Sequence, residues 1–175
     1  ILGIVLALAA GALAGVVTGA LNVYLRIPAI LAGILTMSGL YSVNLLTMDS
    51  KANLTLIGVD TIFSLTAPIF GGDLDLAKTL VNLVLVALAV FLIYTFFKTR
   101  IGLSIRATGD NEYMVRASSI NIGITKILAL ALSNAIIALS GGILAQYQQF
   151  ADISSGVGML VVGLASVIIG EAFLG

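Results

Sequence analysis

The stretch TLVNLVLVALAVFLIYTFF, residues 79–97, holds 19 residues without a charge and is followed at once by Lys98 and Arg100. Wound as a helix at 1.5 Å per residue it would reach about 28 Å, close to the ~30 Å hydrocarbon core of a bilayer. Tyr94, Phe96 and Phe97 end the run, where an aromatic belt at the membrane interface belongs. Four more charge-free runs occupy 1–25, 27–48, 127–151 and 153–170, the last only just long enough to cross. Together the five cover 109 of 175 residues. A Lys, Arg or Asp at mid-bilayer costs about 2.5–3.5 kcal/mol, which accounts for their absence inside the runs. We therefore expect an all-α fold, a polytopic transmembrane helical bundle of about five spans, as one domain over 1–175.

Composition agrees. The chain is 60% hydrophobic and 9% charged, with a mean hydropathy of +1.19. A soluble domain carries about 25% charged residues. The 8 basic and 8 acidic residues cancel, so there is no basic footprint for nucleic acid. With no Cys and no His, disulfides, thiol catalysis, His-based metal sites and Ser–His relays are excluded. We expect no catalytic residue, metal or cofactor. The first run lacks the basic flank of a secretory signal. A start at Ile1 and a stop at Gly175 just beyond an apolar run lead us to expect a piece of a longer protein.

The charges between the runs predict an orientation. Loop 98–126 carries Lys98, Arg100, Arg106, Arg116 and Lys126, whereas 49–78 carries only Lys51 and Lys78 as basic residues. The positive-inside rule puts 98–126 in the cytoplasm; alternation then puts Arg26 inside and 49–78 outside. Within 49–78, Asp60 is placed to N-cap a short interfacial or re-entrant helix that ends near Pro68. Asn22 to Pro28 forms a tight turn, with Pro28 in the first turn of the next helix. Residues 152–158 break the chain before the last run.

Gly11, Gly15 and Gly19 recur every four residues on one helix face. In lipid such a face lets another backbone come close, so helix packing is the plain reading and a pathway wall the alternative. Thr36, Ser38, Asn44, Ser133, Asn134 and Gln146 are the polar side chains we select as pathway candidates. For each of them an interhelical hydrogen bond is the simpler role.

Loop 98–126 reads as turn, cap, short helix, stop. Gly109, Asp110 and Asn111 make the turn, and Asp110 or Asn111 caps the helix. Glu112 and Arg116 are spaced to pair along it, and Asn121 or Gly123 ends it. Met114, Val115 and Ala117 supply an apolar edge. Such a helix either enters a partner's groove or lies on the membrane. No P-loop, mid-span ionisable residue or acidic ring is present, so an autonomous pump and a simple cation channel are disfavoured.

The pattern Gly109-x-Asn111-Glu112-x-x-x-Arg116-x-Ser118-x-Ile120 resembles the cytoplasmic motif of ABC-importer permeases of the sugar and branched-chain amino-acid type. Asn22-x-x-Leu25-Arg26-Ile27-Pro28-x-Ile30 with Thr36 and Met37, Ser140-Gly141-Gly142 and the run from Val161 to Gly170 resemble other parts of the same family. Two departures, Ser119 in place of the family's usual Gly and Glu171 to Gly175 in place of a Gly-rich stretch, suggest a divergent branch. The hairpin from Gly33 to Asn44 is more similar to an amino-acid-transporting branch than to sugar permeases. The resemblance implies a multi-pass subunit of the bacterial cytoplasmic (inner) membrane that moves a small solute by alternating access. It implies as partners a cytoplasmic ABC ATPase docked on 98–126, a second permease subunit and an extracytoplasmic solute-binding protein. In that reading Gly109, Asp110, Asn111, Glu112, Arg116, Ser118 and Ile120 form the ATPase-coupling loop. The competing expectations are a secondary transporter or facilitator and a structural membrane subunit without a pathway.

Overall fold

The computed structural model describes residues 2–66, 68, 73–156 and 158–174. The chain is an all-α polytopic membrane protein whose helices α1 (Leu2–Tyr24), α2 (Ala29–Thr47), α4 (Leu74–Phe97) and α7 (Ile122–Gln148) are long and apolar enough to cross a bilayer. Shorter helices lie between and after them: α3 (Ile62–Thr66), α5 (Arg100–Asp110), α6 (Glu112–Ala117) and α8 (Met159–Leu174). Two strands, β1 (Asn53–Thr55) and β2 (Phe150–Asp152), pair antiparallel with Leu54 opposite Ala151. This ribbon joins the end of α2 to the end of α7 and was not foreseen.

Several boundaries differ from the charge-free runs. The third run begins earlier, at Leu74, because the Asp73 carboxylate accepts the Asp75 and Leu76 N–H groups as an N-cap. Asp75 and Lys78 thus lie in the first turns of α4 instead of in a loop. The fourth helix also starts early: Asn121 Oδ1 accepts from Ile124 N, so Asn121 opens α7 and does not close α6. At its far end Gln149 turns left-handed (φ 60°), which ends the helix before residue 152. The last run yields α8, which starts at Met159 and continues past the charge-free run through Glu171 to Leu174. Pro28 is the N-cap of α2 and precedes its first turn, with its carbonyl accepting from Ala32 N.

The longest helix contact is the antiparallel seam of α1 on α7. Gly11, Ala14, Gly15, Thr18 and Gly19 are the buried residues of α1. A Cβ on Gly15 would stand 2.6 Å from Ala131 Cα, and one on Gly11 would stand 2.5 Å from the Asn134 carbonyl oxygen. At Gly19 it would meet Ile127 Cα at 2.9 Å. The two backbones touch. Helix α2 leans on the other flank of α1 through buried Ala32 and through Thr36, whose hydroxyl lies 2.9 Å from that of Thr18. Helix α4 reaches the rest mainly through α3 at one end and α5 at the other.

Replacing Gly15 with Leu forces a side chain into the α7 backbone, where overpacking costs about 1–3 kcal/mol or more. Gly39, with nothing within 4 Å of an added Cβ, is the matched control. We expect Gly15→Leu to lower the monodisperse fraction and the unfolding temperature of the detergent-purified protein, with Gly39→Leu close to wild type. Equal behaviour of the two variants would remove the seam from its central place.

Candidate functional site

Among the described residues, two regions gather polar side chains around a hollow. The first is the basic end of the bundle, where α5 and α6 lie between α4 and α7. Thr99 caps α5 by accepting from Gly102 N. The sequence reading missed α5 and made Gly109 and Asp110 a turn; both lie in its last turn. Asn111 alone separates the two helices, with extended backbone (φ −157°). Its Oδ1 accepts from Tyr113 N (3.0 Å) and Met114 N (3.1 Å), so of the two expected caps Asn111 serves.

Helix α6 is six residues long and keeps one side chain inside, Val115, at 4% exposure. Tyr113 and Met114 stand out at 89% and 71%. The expected Glu112–Arg116 pair is not formed. Glu112 instead meets Lys126 on α7, where a half-exposed pair is worth about 0.2–1 kcal/mol. Arg116 makes no ion pair among the described residues. Ser118 ends α6, its hydroxyl donating to the Met114 carbonyl, and Ser119 is left-handed at φ 60°. A β-carbon is unfavourable in that conformation, which gives the physical reason for glycine at this place. Ile120 is half-buried between α6 and α7. A cleft of about 700 Å³ is lined by Gly109, Asp110, Asn111, Glu112, Tyr113 and Arg116. It offers both signs of charge beside two exposed side chains, Tyr113 and Met114.

The second region is a groove between α4 and α7. Its outer part, about 600 Å³, gathers Thr79, Asn82, Ser140 and Tyr147 among aliphatic side chains. Lys78 Nζ stands 5.2 Å from the Tyr147 ring centre, and Phe63 of α3 meets that ring edge-on at 6.0 Å. Helix α3 is fixed by a reciprocal cap in which Ser64 N donates to Thr61 Oγ1 and Thr61 N to Ser64 Oγ. Thr61, not Asp60, is therefore its N-cap. The groove continues past Ala89, Ile136 and Leu139 into an apolar hollow of about 480 Å³ that ends at Thr99.

The six polar residues selected from the sequence do not meet in one place. Thr36 is engaged with Thr18, and the Asn134 amide donates to the Leu130 carbonyl beside the glycine seam. Gln146 accepts from Ile62 N and so holds α3 against α7. Ser38 and Asn44 lie exposed on α2, and Ser133 lies exposed on α7. Gly11, Gly15 and Gly19 face α7, as described above. Asn82 was missed; its signal was the single carboxamide in an otherwise aliphatic run.

Residues 1–174 match the family described as branched-chain amino acid transport system / permease component. The chain is 39% identical over 165 residues to a tyrosine transport system permease protein of Clostridioides difficile, covering 94% of this chain and 52% of that protein. It is 30% identical over 169 residues to the inner membrane ABC transporter permease protein YjfF of Escherichia coli, covering 97% and 50%. It is 30% identical over 164 residues to the autoinducer 2 import system permease protein LsrC of an Enterobacter strain, covering 94% and 46%. The chain thus spans about half the length of the curated relatives it matches. No solved structure matches it.

The caps on α6 are open to measurement. Asn111→Ala removes a cap worth about 1 kcal/mol and should speed amide hydrogen exchange across 112–117 about fivefold. Ser119→Gly relieves about 1 kcal/mol of left-handed strain and should slow it by a similar factor. Unchanged exchange in both variants would contradict this account of the helix ends.

Proposed function

This chain belongs to the branched-chain amino acid transport system / permease component family, and on that premise we propose that it forms part of the permease of an ATP-driven importer. The solute is a small molecule, and an amino acid is the class favoured by the tyrosine transport permease among its relatives. The protein works in the bacterial cytoplasmic membrane, with loop 98–126 on the cytoplasmic side and the ribbon end outside. Its partners are a cytoplasmic ABC ATPase, a second permease subunit and an extracytoplasmic solute-binding protein. It carries no catalytic residue; hydrolysis occurs on the ATPase.

The observation that supports this reading is the build of α6. A six-residue helix cannot persist alone, since nucleation is costly and each helix end leaves four backbone groups unpaired. Here it is capped at both ends, anchored by Val115 and tied by Glu112 to Lys126 on a spanning helix. Its other face presents Tyr113, Met114 and Arg116 to whatever lies beyond. That is a docking element braced from behind. Closure of the ATPase dimer would press on α6, pass through Val115 and the Glu112–Lys126 pair to α7, and through the α1/α7 seam to the rest of the bundle. The outcome is alternating access, in which solute admitted from the ribbon side leaves at the basic side.

The test is purification of the complete protein with its neighbours. A stoichiometric P-loop ATPase should co-purify, and uptake into vesicles should need ATP. Arg116→Glu should lower the retained ATPase about tenfold, the equivalent of about 1.4 kcal/mol, with membrane insertion intact. Uptake by this subunit alone would overturn the importer. Full ATPase retention in the Arg116 variant would move the docking surface elsewhere.

A further inference from the structure

We propose that the corner where α4 gives way to α5 binds an anionic phospholipid, its chains along the outer face of α4 and its headgroup on Lys98 and Arg100. This holds whatever solute the chain carries. Helix α4 has two opposite faces. Asn82, Ala89 and Phe96 lie toward the groove with α7. Val84, Leu88, Phe91 and Tyr94 fall on the other side at helical spacing, each more than half exposed. Lys98, four residues beyond Tyr94, closes that stripe, with Nζ 4.2 Å from the Tyr94 ring centre. Aliphatic side chains, then an aromatic ring, then a cation follow the order of a lipid from acyl chain through interface to phosphate.

The charge is concentrated at the corner. Thr99 caps α5, and Gly102 brings its first turn against α4, because a Cβ there would stand 2.6 Å from Phe97 Cα. Arg100 is thereby kept beside Lys98, and Arg106 follows on the same short helix. All three are exposed and make no ion pair among the described residues. The neighbouring acids do not offset them. Glu112 is held by Lys126, and Asp110 is one carboxylate against three cations over 98–110. Ile101 and Leu103 stand between the arginines at 53% and 55% exposure. Cations interleaved with aliphatic carbon at the end of a spanning helix complement a surface that is apolar on one side and anionic on the other. A phosphodiester accepts charge-assisted bonds from Lys and paired N–H donors from Arg. A zwitterionic lipid offers the same phosphate but carries an ammonium that these cations repel. Each Lys or Arg near an anionic surface strengthens association about fivefold, so a net negative headgroup is selected.

The test uses the complete protein, with its partners, in nanodiscs of equal phosphatidylglycerol and phosphatidylcholine. The photoreactive p-benzoylphenylalanine replaces Phe91 in one preparation and Ile168 in another. Ile168 is similarly exposed on α8, with Glu171 close by and no basic residue on that helix. Illumination joins the benzophenone to a C–H bond lying against it, and mass spectrometry of the adduct identifies the neighbour. At 91, phosphatidylglycerol adducts should exceed phosphatidylcholine adducts about fivefold or more. At 168 the two should be close to equal. Lys98→Gln combined with Arg100→Gln should bring the ratio at 91 near that at 168, and Lys98→Arg should preserve it.

Equal labelling by the two lipids at 91 would overturn the anionic site. An unchanged preference in the double variant would remove it from these cations. Absence of lipid adducts at 91, or adducts chiefly to the ATPase or to another permease segment, would show that protein covers this face and would equally overturn it. Monodisperse elution certifies that each variant is folded. The importer reading is scored separately, by ATP-dependent uptake in the unsubstituted protein.

Discussion

Lipid removes the force that normally gathers helices, since an acyl chain is as good a neighbour for leucine as another leucine. What remains is close contact between backbones, and in this protein that contact is made along α1 and α7. Three glycines a turn apart bring α1 against the α7 main chain, so dispersion acts at its shortest range over several turns. Most of the other elements are hung from this pair, with α4 joined through α3 and α5. Helix α2 leans on α1, while α3, α5, α6 and the ribbon all take a bearing from α7.

Seen from α7, the molecule has two ends with different chemistry. At one end Asn121, Lys126 and buried Ile122 hold a short helix whose outer face is unpartnered among the described residues. At the other, Gln146 and Tyr147 hold α3 and shape the entrance of the groove. The 27 residues of α7 make a stiff connection of about 40 Å. One helix therefore touches both α6 and the groove.

Charge spacing made the spans legible, because a bilayer imposes the same penalty on every buried charge. It misplaced their ends. The first turns of α4 carry Asp75 and Lys78, which water tolerates and a charge-free criterion rejects. Gly109 looked like a turn because glycine usually punctuates helices, but the Thr99 cap and the packing of α5 on α4 and α7 carry the helix through it. The Glu112–Arg116 spacing was correct for a local pair, yet tertiary structure offered Lys126 instead. Ribbon pairing between residues about 100 positions apart leaves no local trace. The glycine face was readable as a face, and its partner was not. The groove was hidden for a related reason: its polar groups come from two helices, and each helix taken alone shows only scattered Thr, Asn, Ser and Tyr.

Asn111 is at once the C-cap of α5, its N–H donating to the Ala107 carbonyl, and the N-cap of α6, so the two helices meet with a single residue between them. A joint that short has almost no slack. Helix α5 rests against both α4 and α7, and α6 is fastened to α7. A thrust delivered to this elbow would therefore reach α7 through both short helices and α4 through α5 alone, loading the two walls of the groove unequally. A gap lined by side chains from two helices changes its width when one wall is pushed harder than the other, without any change in the helices themselves.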